Sequence, residues 1–265
     1  MLVYARSRSG TEVYRSTTMT EFEIQTQWVK VPNGDLEIDA YLAQPTGEGR
    51  FPGVVVFQEV FGVNVHIRDV TERLAKEGYV TIAPALYQRL EPGFEVGYGE
   101  EDLKKGREYK VQTKASELLS DTQASIDYLK TLSNTTDKFG CIGFCFGGHV
   151  AYLVAQLDDL DAVASFYGAG IAVLCPGEEN QVTIDFTKDI AGTIYLFFGT
   201  EDPLVPLLQV DEIEAALTEH KIDYKIFRYE GAGHGFFCDR RASYLEEAAR
   251  DAWQHTLQLY DRVLR

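Results

Sequence analysis

One cysteine stands where a strand-to-helix turn would hold a nucleophile. Cys145 is the centre of a Gly-x-Cys-x-Gly-Gly sequence that follows the apolar run 139–142 and precedes the helix-like apolar segment 150–155. In such a sharp turn the residues two positions before and after the nucleophile must be very small, and Gly143 and Gly147 occupy these positions. The start of the following helix favours a thiolate. The pattern predicts a nucleophile, and a buried cysteine that only packs in the turn is the alternative.

Two nucleotide-binding patterns do not fit this turn. A dinucleotide site needs Gly-x-Gly-x-x-Gly, whereas the spacing here is Gly143-x-x-x-Gly147-Gly148. A phosphate-binding loop needs Gly-Lys followed by Ser or Thr, which this turn lacks. The turn therefore favours chemistry at the sulfur.

An acid and a base follow later strands in the order that such a nucleophile requires. Asp202 comes after the apolar run 194–198, and His234 comes after a strand-like segment and the small-residue loop 231–233. Taken alone, Asp202 also fits a turn before a proline, and a loop histidine is commonly a surface residue. The order Cys145, Asp202, His234 matches the Ser…Asp…His order of α/β-hydrolases. We therefore predict that His234 is the base and that Asp202 orients it.

The other histidines fit the role of base less well. They open a predicted helix, lie in the helix after Cys145, or sit in or near amphipathic helices. We expect these four to be structural or exposed: His66, His149, His220 and His255.

The segment after the first buried strand predicts an oxyanion site. In α/β-hydrolases the loop at this position supplies a backbone N–H group to the oxyanion hole. The N–H groups of Val60 and Phe146 are the predicted pair. Glu59 would then stand beside the thiol, and the alternative is a strand-end carboxylate that pairs with a nearby arginine.

Hydrophobic periodicity predicts strands alternating with helices along most of the chain. Residues 28–31 and 36–42 alternate apolar and polar around Asn33-Gly34, which predicts an edge hairpin. The remaining predicted strands are 53–57, 79–84, 139–142, 162–167, 193–198 and 224–229. The predicted helices are a segment through Ile67, Val70 and Leu74 ending at Gly78, then 101–132, 208–219 and 242–262, with a loop at 90–100 and a surface excursion at 170–190.

This alternation predicts an α/β protein with a mostly parallel central sheet and helices on both faces. We expect residues 1–20 to be a disordered N-terminal extension and residues 21–265 to form one α/β-hydrolase domain. No apolar run reaches the length of a membrane span.

Amino-acid composition limits the classes of molecule that this protein is expected to bind. The chain carries 41 acidic and 25 basic residues, a net charge of −16, which argues against nucleic acid and anionic membranes. An anionic substrate would need a local basic patch. The four cysteines show no paired spacing and no metal-binding spacing, which favours a reduced, cytoplasmic setting.

Several motifs together resemble the dienelactone hydrolase family, over about residues 30–260. The combination of Gln-Glu-x-Phe-Gly with Gly-x-Cys-x-Gly-Gly is the specific part. The matching segments are 58–62, 84–87, 143–148, 166–168, 199–202 and 231–234.

The resemblance implies an α/β-hydrolase fold, a Cys-His-Asp triad, no cofactor and no metal. It also implies hydrolysis of dienelactone, with a glutamate at Glu59 that holds the resting thiol and helps to form the thiolate. In the family an arginine four residues after the histidine binds the substrate carboxylate, but that position here is Cys238. Arg240 and Arg241 follow closely, and Arg240, with Phe61 and Tyr167 from the matching motifs, is a predicted substrate contact.

The leading hypothesis is thus a hydrolase that cleaves small esters or lactones through an acyl-cysteine. A broad esterase, thioesterase or phosphotriester hydrolase on the same site is one alternative. A hydrolase-fold protein that only binds a ligand is another, and a redox-sensing cysteine protein is a third. The oligomeric state is left open.

Overall fold

The computed structural model describes residues 21–265, so the predicted extension 1–20 lies outside the described residues. Eight strands form one sheet in the order β1-β2-β4-β3-β5-β6-β7-β8. The strands are β1 (Ile24–Asn33), β2 (Leu36–Pro45), β3 (Phe51–Phe57), β4 (Val80–Pro84), β5 (Thr135–Phe144), β6 (Ala162–Phe166), β7 (Thr193–Gly199) and β8 (Tyr224–Tyr229). The helices are α1 (Val65–Lys76), α2 (Glu100–Lys110), α3 (Ala115–Thr131), α4 (Phe146–Val154), α5 (Leu207–Glu219) and α6 (Glu246–Val263).

The strand pairing confirms the predicted sheet. β1 and β2 form the predicted antiparallel hairpin, and β2 pairs antiparallel with β4. All remaining neighbours from β4 to β8 pair in parallel. The sheet is therefore mostly parallel, and the carboxyl ends of its parallel strands lie at one edge.

Alternating side chains of the central strands enter two separate cores. Val55 and Phe57 of β3 belong to one buried cluster, and Val54 and Val56 belong to the other. Residues of α3, α4 and α5 fill the first cluster, whereas α1 and α6 fill the second. Helices thus cover both faces of the sheet, as predicted.

The last helix also holds the central strand by a polar contact. Tyr260 of α6 is fully buried, and its hydroxyl donates to the carbonyl oxygen of Cys141 in β5 at 2.8 Å. The buried hydroxyl of Tyr260 therefore has a hydrogen-bond acceptor within the core.

The prediction of one helix over 101–132 is wrong, because the chain forms two helices there. The helical pattern stops between α2 and α3, where the hydroxyl of Thr113 donates to the carbonyl of Lys110 at 2.7 Å. The N–H of Ala115 at the start of α3 donates to the carbonyl of Pro176 at 2.7 Å. A distant segment therefore satisfies the first amide of α3, which a local pattern does not reveal.

The segment 170–190, which was predicted to be a surface excursion, contains regular structure and buried residues. It contains a 3-10 helix, Thr183–Asp189, whose Thr183 and Thr187 are fully buried. Their hydroxyls lie 2.6 Å from Nε2 of His149 and 2.6 Å from the hydroxyl of Tyr152, both in α4. The segment thus packs against the helix that follows Cys145.

The last helix is shorter than predicted. Helix α6 begins at Glu246 and not at the predicted residue 242.

Among residues 21–265, none of the helices combines the length and the apolar composition that crossing a bilayer requires.

Candidate active site

Cys145 lies in a strained turn between β5 and α4. Its backbone has φ 56° and ψ −112°, a conformation that residues other than glycine rarely adopt. A Cβ atom added to Gly143 would lie 1.9 Å from the carbonyl oxygen of Gly147, and one added to Gly147 would lie 2.4 Å from that of Phe57. Both glycines are required, because any larger residue would force the turn open.

Exposure separates Cys145 from the other thiols. All four cysteines are free, and Cys145 is partly exposed while the other three are buried. Burial raises the pKa of the Cys141 thiol and raises that of the Cys238 thiol to about 11. Cys145 is therefore the thiol that a small molecule can reach from solvent.

Asp202 and His234 meet at the carboxyl edge of the sheet. Asp202 follows β7 and His234 follows β8, and Nδ1 of His234 lies 2.8 Å from Oδ2 of Asp202. The other carboxylate oxygen accepts the N–H of Leu204 at 2.8 Å, which fixes the plane of the carboxylate. Nε2 of His234 is buried and has no hydrogen-bond partner within residues 21–265. This nitrogen is free to exchange a proton with a reacting group.

Charge and burial act in opposite directions on His234. Burial alone would lower its pKa, but the interaction with Cys145 and the hydrogen bond with Asp202 raise it to about 10. The site therefore favours a protonated imidazole ring at His234.

Glu59 is a buried carboxylate next to this pair. Its side chain is 1% exposed, and Oε1 accepts a hydrogen bond from Nη1 of Arg241 at 3.0 Å. Burial raises the pKa of the Glu59 carboxyl, and the positive charges of Arg241 and His234 oppose that shift without cancelling it. The arginine pairing that the sequence left open is present, and Oε2 has no partner within residues 21–265.

Strand register brings the segments that carry the two candidate oxyanion donors to the same edge of the sheet. Phe57 of β3 pairs with Gly143 of β5, and Val60 and Phe146 each follow three residues later. Val60 is buried, and α2 packs so closely on it that a Cβ atom on Gly106 would lie 2.2 Å from its carbonyl oxygen. Phe146 is the first residue of α4, where backbone N–H groups have no acceptor within the helix.

Two of the three predicted substrate contacts lie at the site. Tyr167 is fully buried, has φ 39°, and its ring centroid lies 5.2 Å from that of His234. Phe61 is 2% exposed and packs edge-on against Tyr98 at 4.8 Å. Tyr98 comes from the predicted 90–100 loop, and the sequence analysis missed it because nothing in the loop marks that one residue.

The position of Arg240 does not support its predicted role. Arg240 is exposed and lines a surface pocket together with Asn64 and Tyr98. Its neighbour Arg241 instead contacts Glu59 and lies over the rings of Phe61 and Tyr98. The turn after Cys238 directs the two consecutive side chains differently, so Arg241 is the arginine at the site.

The other histidines lie away from the triad geometry. His149 is buried and bonded to the carbonyl of Ala169 and the hydroxyl of Thr183, whereas His220 is exposed and His255 stacks on Phe227. His66 is buried beside Glu59, and with Cys238 these two residues form a group of potential metal ligands.

Sequence comparisons find relatives of this protein over most of its length. Residues 38–264 match the model of the dienelactone hydrolase family. A "Putative carboxymethylenebutenolidase" of Synechocystis sp. is 54% identical over 244 residues, which cover 92% of this chain and 99% of that protein. A protein of the same name from Yersinia pestis is 32% identical over 237 residues, covering 87% and 85% of the two chains.

Solved structures show the same fold. The crystal structure of a "Putative Dienelactone Hydrolase" from Klebsiella pneumoniae has a TM-score of 0.81 and 30% identity, covering 91% of this chain and 99% of that one. A "Dienelactone Hydrolase-like Promiscuous" phosphotriesterase from metagenomic libraries has a TM-score of 0.76 at 22% identity, covering 91% and 98% of the two chains. At that lower identity the likeness concerns the fold alone.

Proposed function

The chain belongs to the dienelactone hydrolase family, and on that basis we propose that it cleaves small esters or lactones through an acyl-cysteine formed on Cys145. Family membership makes the chain a hydrolase of ester bonds. The observation that carries the mechanism is the 2.8 Å contact between His234 and Asp202, with Nε2 of His234 unpartnered within residues 21–265 and the partly exposed thiol Cys145 beside it.

Acylation begins with attack of the thiolate on the substrate carbonyl carbon. The carbonyl oxygen becomes an oxyanion, which the N–H groups of Val60 and Phe146 stabilise. The carbon–oxygen bond of the ester then breaks, and Nε2 of His234 gives its proton to the departing alkoxide. The products of this half-reaction are an alcohol and an acyl-cysteine.

The charge balance at the site prepares the second half-reaction. The negative charge on Cys145 is the largest influence that raises the pKa of His234, and acylation removes that charge. The pKa of His234 then falls, so the neutral imidazole can take a proton from water. The hydroxide attacks the thioester, and the acid and the thiolate are released. Asp202 holds the ring in one orientation during both halves.

The resemblance implies that Glu59 takes the proton of the Cys145 thiol, and its unpartnered Oε2 is the atom that would accept it. Its raised pKa suits a group that must accept a proton from a thiol and hold it in a buried site. Arg241 donates to only one of its oxygens, and a substrate carboxylate would compete with Glu59 for that arginine. This competition supports an anionic lactone as one substrate class.

The described chain supports two further proposals about the enzyme. One sheet runs through residues 24–229 and helices from the same chain cover both of its faces, so we treat residues 21–265 as one catalytic domain. The four free cysteines support a reducing compartment such as the cytoplasm.

The test is a substrate panel on one preparation of the protein. Dienelactone, p-nitrophenyl acetate, an acyl thioester and a phosphotriester are compared for wild type, Cys145→Ala and Cys175→Ala. We expect hydrolysis of the lactone or ester, a loss of about 10³–10⁶ in kcat for Cys145→Ala, and no loss for the buried control Cys175→Ala. Activity that survives in folded Cys145→Ala excludes the acyl-cysteine.

A further inference from the structure

Three side chains with metal-binding groups converge beside the catalytic residues. Glu59 follows β3, His66 lies in the first turn of α1, and Cys238 lies in the turn after His234. Their exposed fractions are 0%, 2% and 0%. One carboxylate oxygen, one ring nitrogen and the sulfur all lie within 4.8 Å of one another. Three separate elements thus bring the three ligand types to one buried point.

The hydrogen bonding of this cluster is incomplete. Oε2 of Glu59 and Nε2 of His66 are buried and have no partner within the described chain, and they do not bond to each other. The thiol of Cys238 donates to the hydroxyl of Tyr98 at the long distance of 3.4 Å. A buried polar group without a partner destabilises the fold, so a bound ion that supplied one would be stabilising here.

We propose that Glu59, His66 and Cys238 form a binding site for Zn²⁺ beside the catalytic site. Thiolate, imidazole and carboxylate are the ligands that zinc takes in proteins, whereas magnesium and calcium prefer a shell of oxygens. Ligand atoms at about 2.0–2.3 Å from a tetrahedral zinc ion lie about 3.5 Å apart, so the cluster must contract by roughly 1 Å. Side-chain rotation supplies a movement of that size.

The charges of the ligands suit a divalent ion. A thiolate at Cys238 and a carboxylate at Glu59 would neutralise Zn²⁺. Nε2 of His66 is buried and has no hydrogen-bond partner within residues 21–265, so this ring nitrogen is available to an ion. Arg241 occupies Oε1 of Glu59 and leaves Oε2 free. Arg73 and Arg240 also act on His66 and oppose a cation, and Asp239 offsets them in part.

Two surface pockets reach the His66 end of the cluster. His66 lines one pocket with Asn64 and Arg240, and a second one with Arg73 and Asp239. An ion would approach the cluster from these pockets.

Binding of zinc would stop the enzyme, and this consequence rests on the proposed role of Glu59. A carboxylate held by the metal can no longer take the proton of the Cys145 thiol. The site would thus act as an inhibitory site that responds to free zinc.

The metal site is tested directly with Co²⁺, whose thiolate complexes absorb in the near ultraviolet, on metal-free Cys145→Ala protein. This background removes the catalytic thiol and needs no enzymatic activity, so the result does not depend on the proposed function. We expect one Co²⁺ per chain, a thiolate-to-cobalt band and displacement by Zn²⁺. The added change Cys238→Ala should abolish the band, and Cys175→Ala should preserve it.

A second substitution guards against a folding failure of the first. His66→Phe removes the ring nitrogen but keeps an aromatic ring against Phe144 and Phe237, and it should weaken Co²⁺ binding at least about tenfold. Folding is checked by thermal melts. A folded protein with no thiolate-to-cobalt band overturns the site, and so does a band that survives Cys238→Ala.

Inhibition is measured separately on the active enzyme. The Zn²⁺ concentration that halves the rate should rise at least about tenfold in Cys238→Ala relative to wild type. Equal inhibition of both proteins would mean that zinc acts at Cys145 and would overturn the inhibitory role.

Discussion

The histidines of this chain show how strongly the surroundings of a residue set its chemistry. Burial lowers the pKa of His66 to about 4 and that of His149 to about 3. His234 is also buried, yet its pKa is raised to about 10, because it faces Cys145 and bonds to Asp202. The interactions with Cys145 and Asp202 outweigh desolvation in this one case. Of these three buried rings, only that of His234 is suited to be charged at neutral pH.

The first prediction concerns the origin of that shift. In Cys145→Ala the largest influence that raises the pKa of His234 is gone, so the pKa should fall by more than about one unit from its wild-type value. NMR titration of the imidazole signals of both proteins measures it. The control Cys175→Ala removes a thiol elsewhere and should leave the value unchanged. An unaltered pKa in Cys145→Ala would show that Cys145 is not the source of the shift at His234.

The second prediction concerns Glu59 and stability. Its folded pKa lies above the unfolded value, so the stability that it contributes is present below the unfolded pKa of about 4.3 and is lost as pH rises through the folded pKa. Wild type should therefore lose stability relative to Glu59→Gln as pH rises from about 4. Urea unfolding of both proteins at several pH values measures the difference. A difference that grows in favour of wild type contradicts the raised pKa.

At the scale of elements, helix α2 presses on the loop that holds a candidate oxyanion donor. Gly106 is buried, and a side chain there would collide with the carbonyl of Val60. The third prediction is that Gly106→Ala lowers kcat/KM about 10²-fold, since a displacement near 1 Å is enough for such a loss. Steady-state kinetics and a thermal melt are the measurements.

The control for that substitution lies on the same helix. Glu108 is exposed, and Glu108→Ala changes the helix without touching Val60. It should keep wild-type kinetics. Equal activity of Gly106→Ala and Glu108→Ala would mean that α2 does not position the oxyanion loop.

Local sequence patterns predict a helix or strand well when the residues within it determine its conformation. The hairpin β1–β2 and strand β3 follow from alternation and from a continuous apolar run, and the glycines of the turn at Cys145 follow from sterics. The break between α2 and α3 was missed, because the amide of Ala115 is bonded by Pro176, far along the chain.

The same distinction applies to the candidate site. Chain order and the ends of strands suggested Asp202 and His234 as partners, and the structure brings them to 2.8 Å. The sequence did not reveal that Arg241, and not Arg240, contacts Glu59, since a single turn decides which of the two side chains points at that carboxylate. Loop conformation depends on tertiary contacts that carry no periodic signal.

At the scale of the whole molecule, the net charge of −16 produces a negative field around a site that has to admit its substrate. The fourth prediction is that kcat/KM for an anionic lactone rises with ionic strength between about 0.02 and 0.2 M, because salt shortens the Debye length to about 10 Å at 0.1 M. The neutral ester p-nitrophenyl acetate is the control and should show no such rise. A decrease for the lactone would mean that basic residues near the site dominate the field.

The contact between Tyr260 and Cys141 has a consequence for biosynthesis. The two residues are 119 positions apart, and the strand that leads to the nucleophile needs α6 to close one of its faces. At translation rates of about 5–20 residues per second, roughly 6–24 s separate the synthesis of these residues. During that time the nascent chain carries an open apolar surface that chaperones can bind. Active enzyme therefore forms only after α6 has left the ribosome.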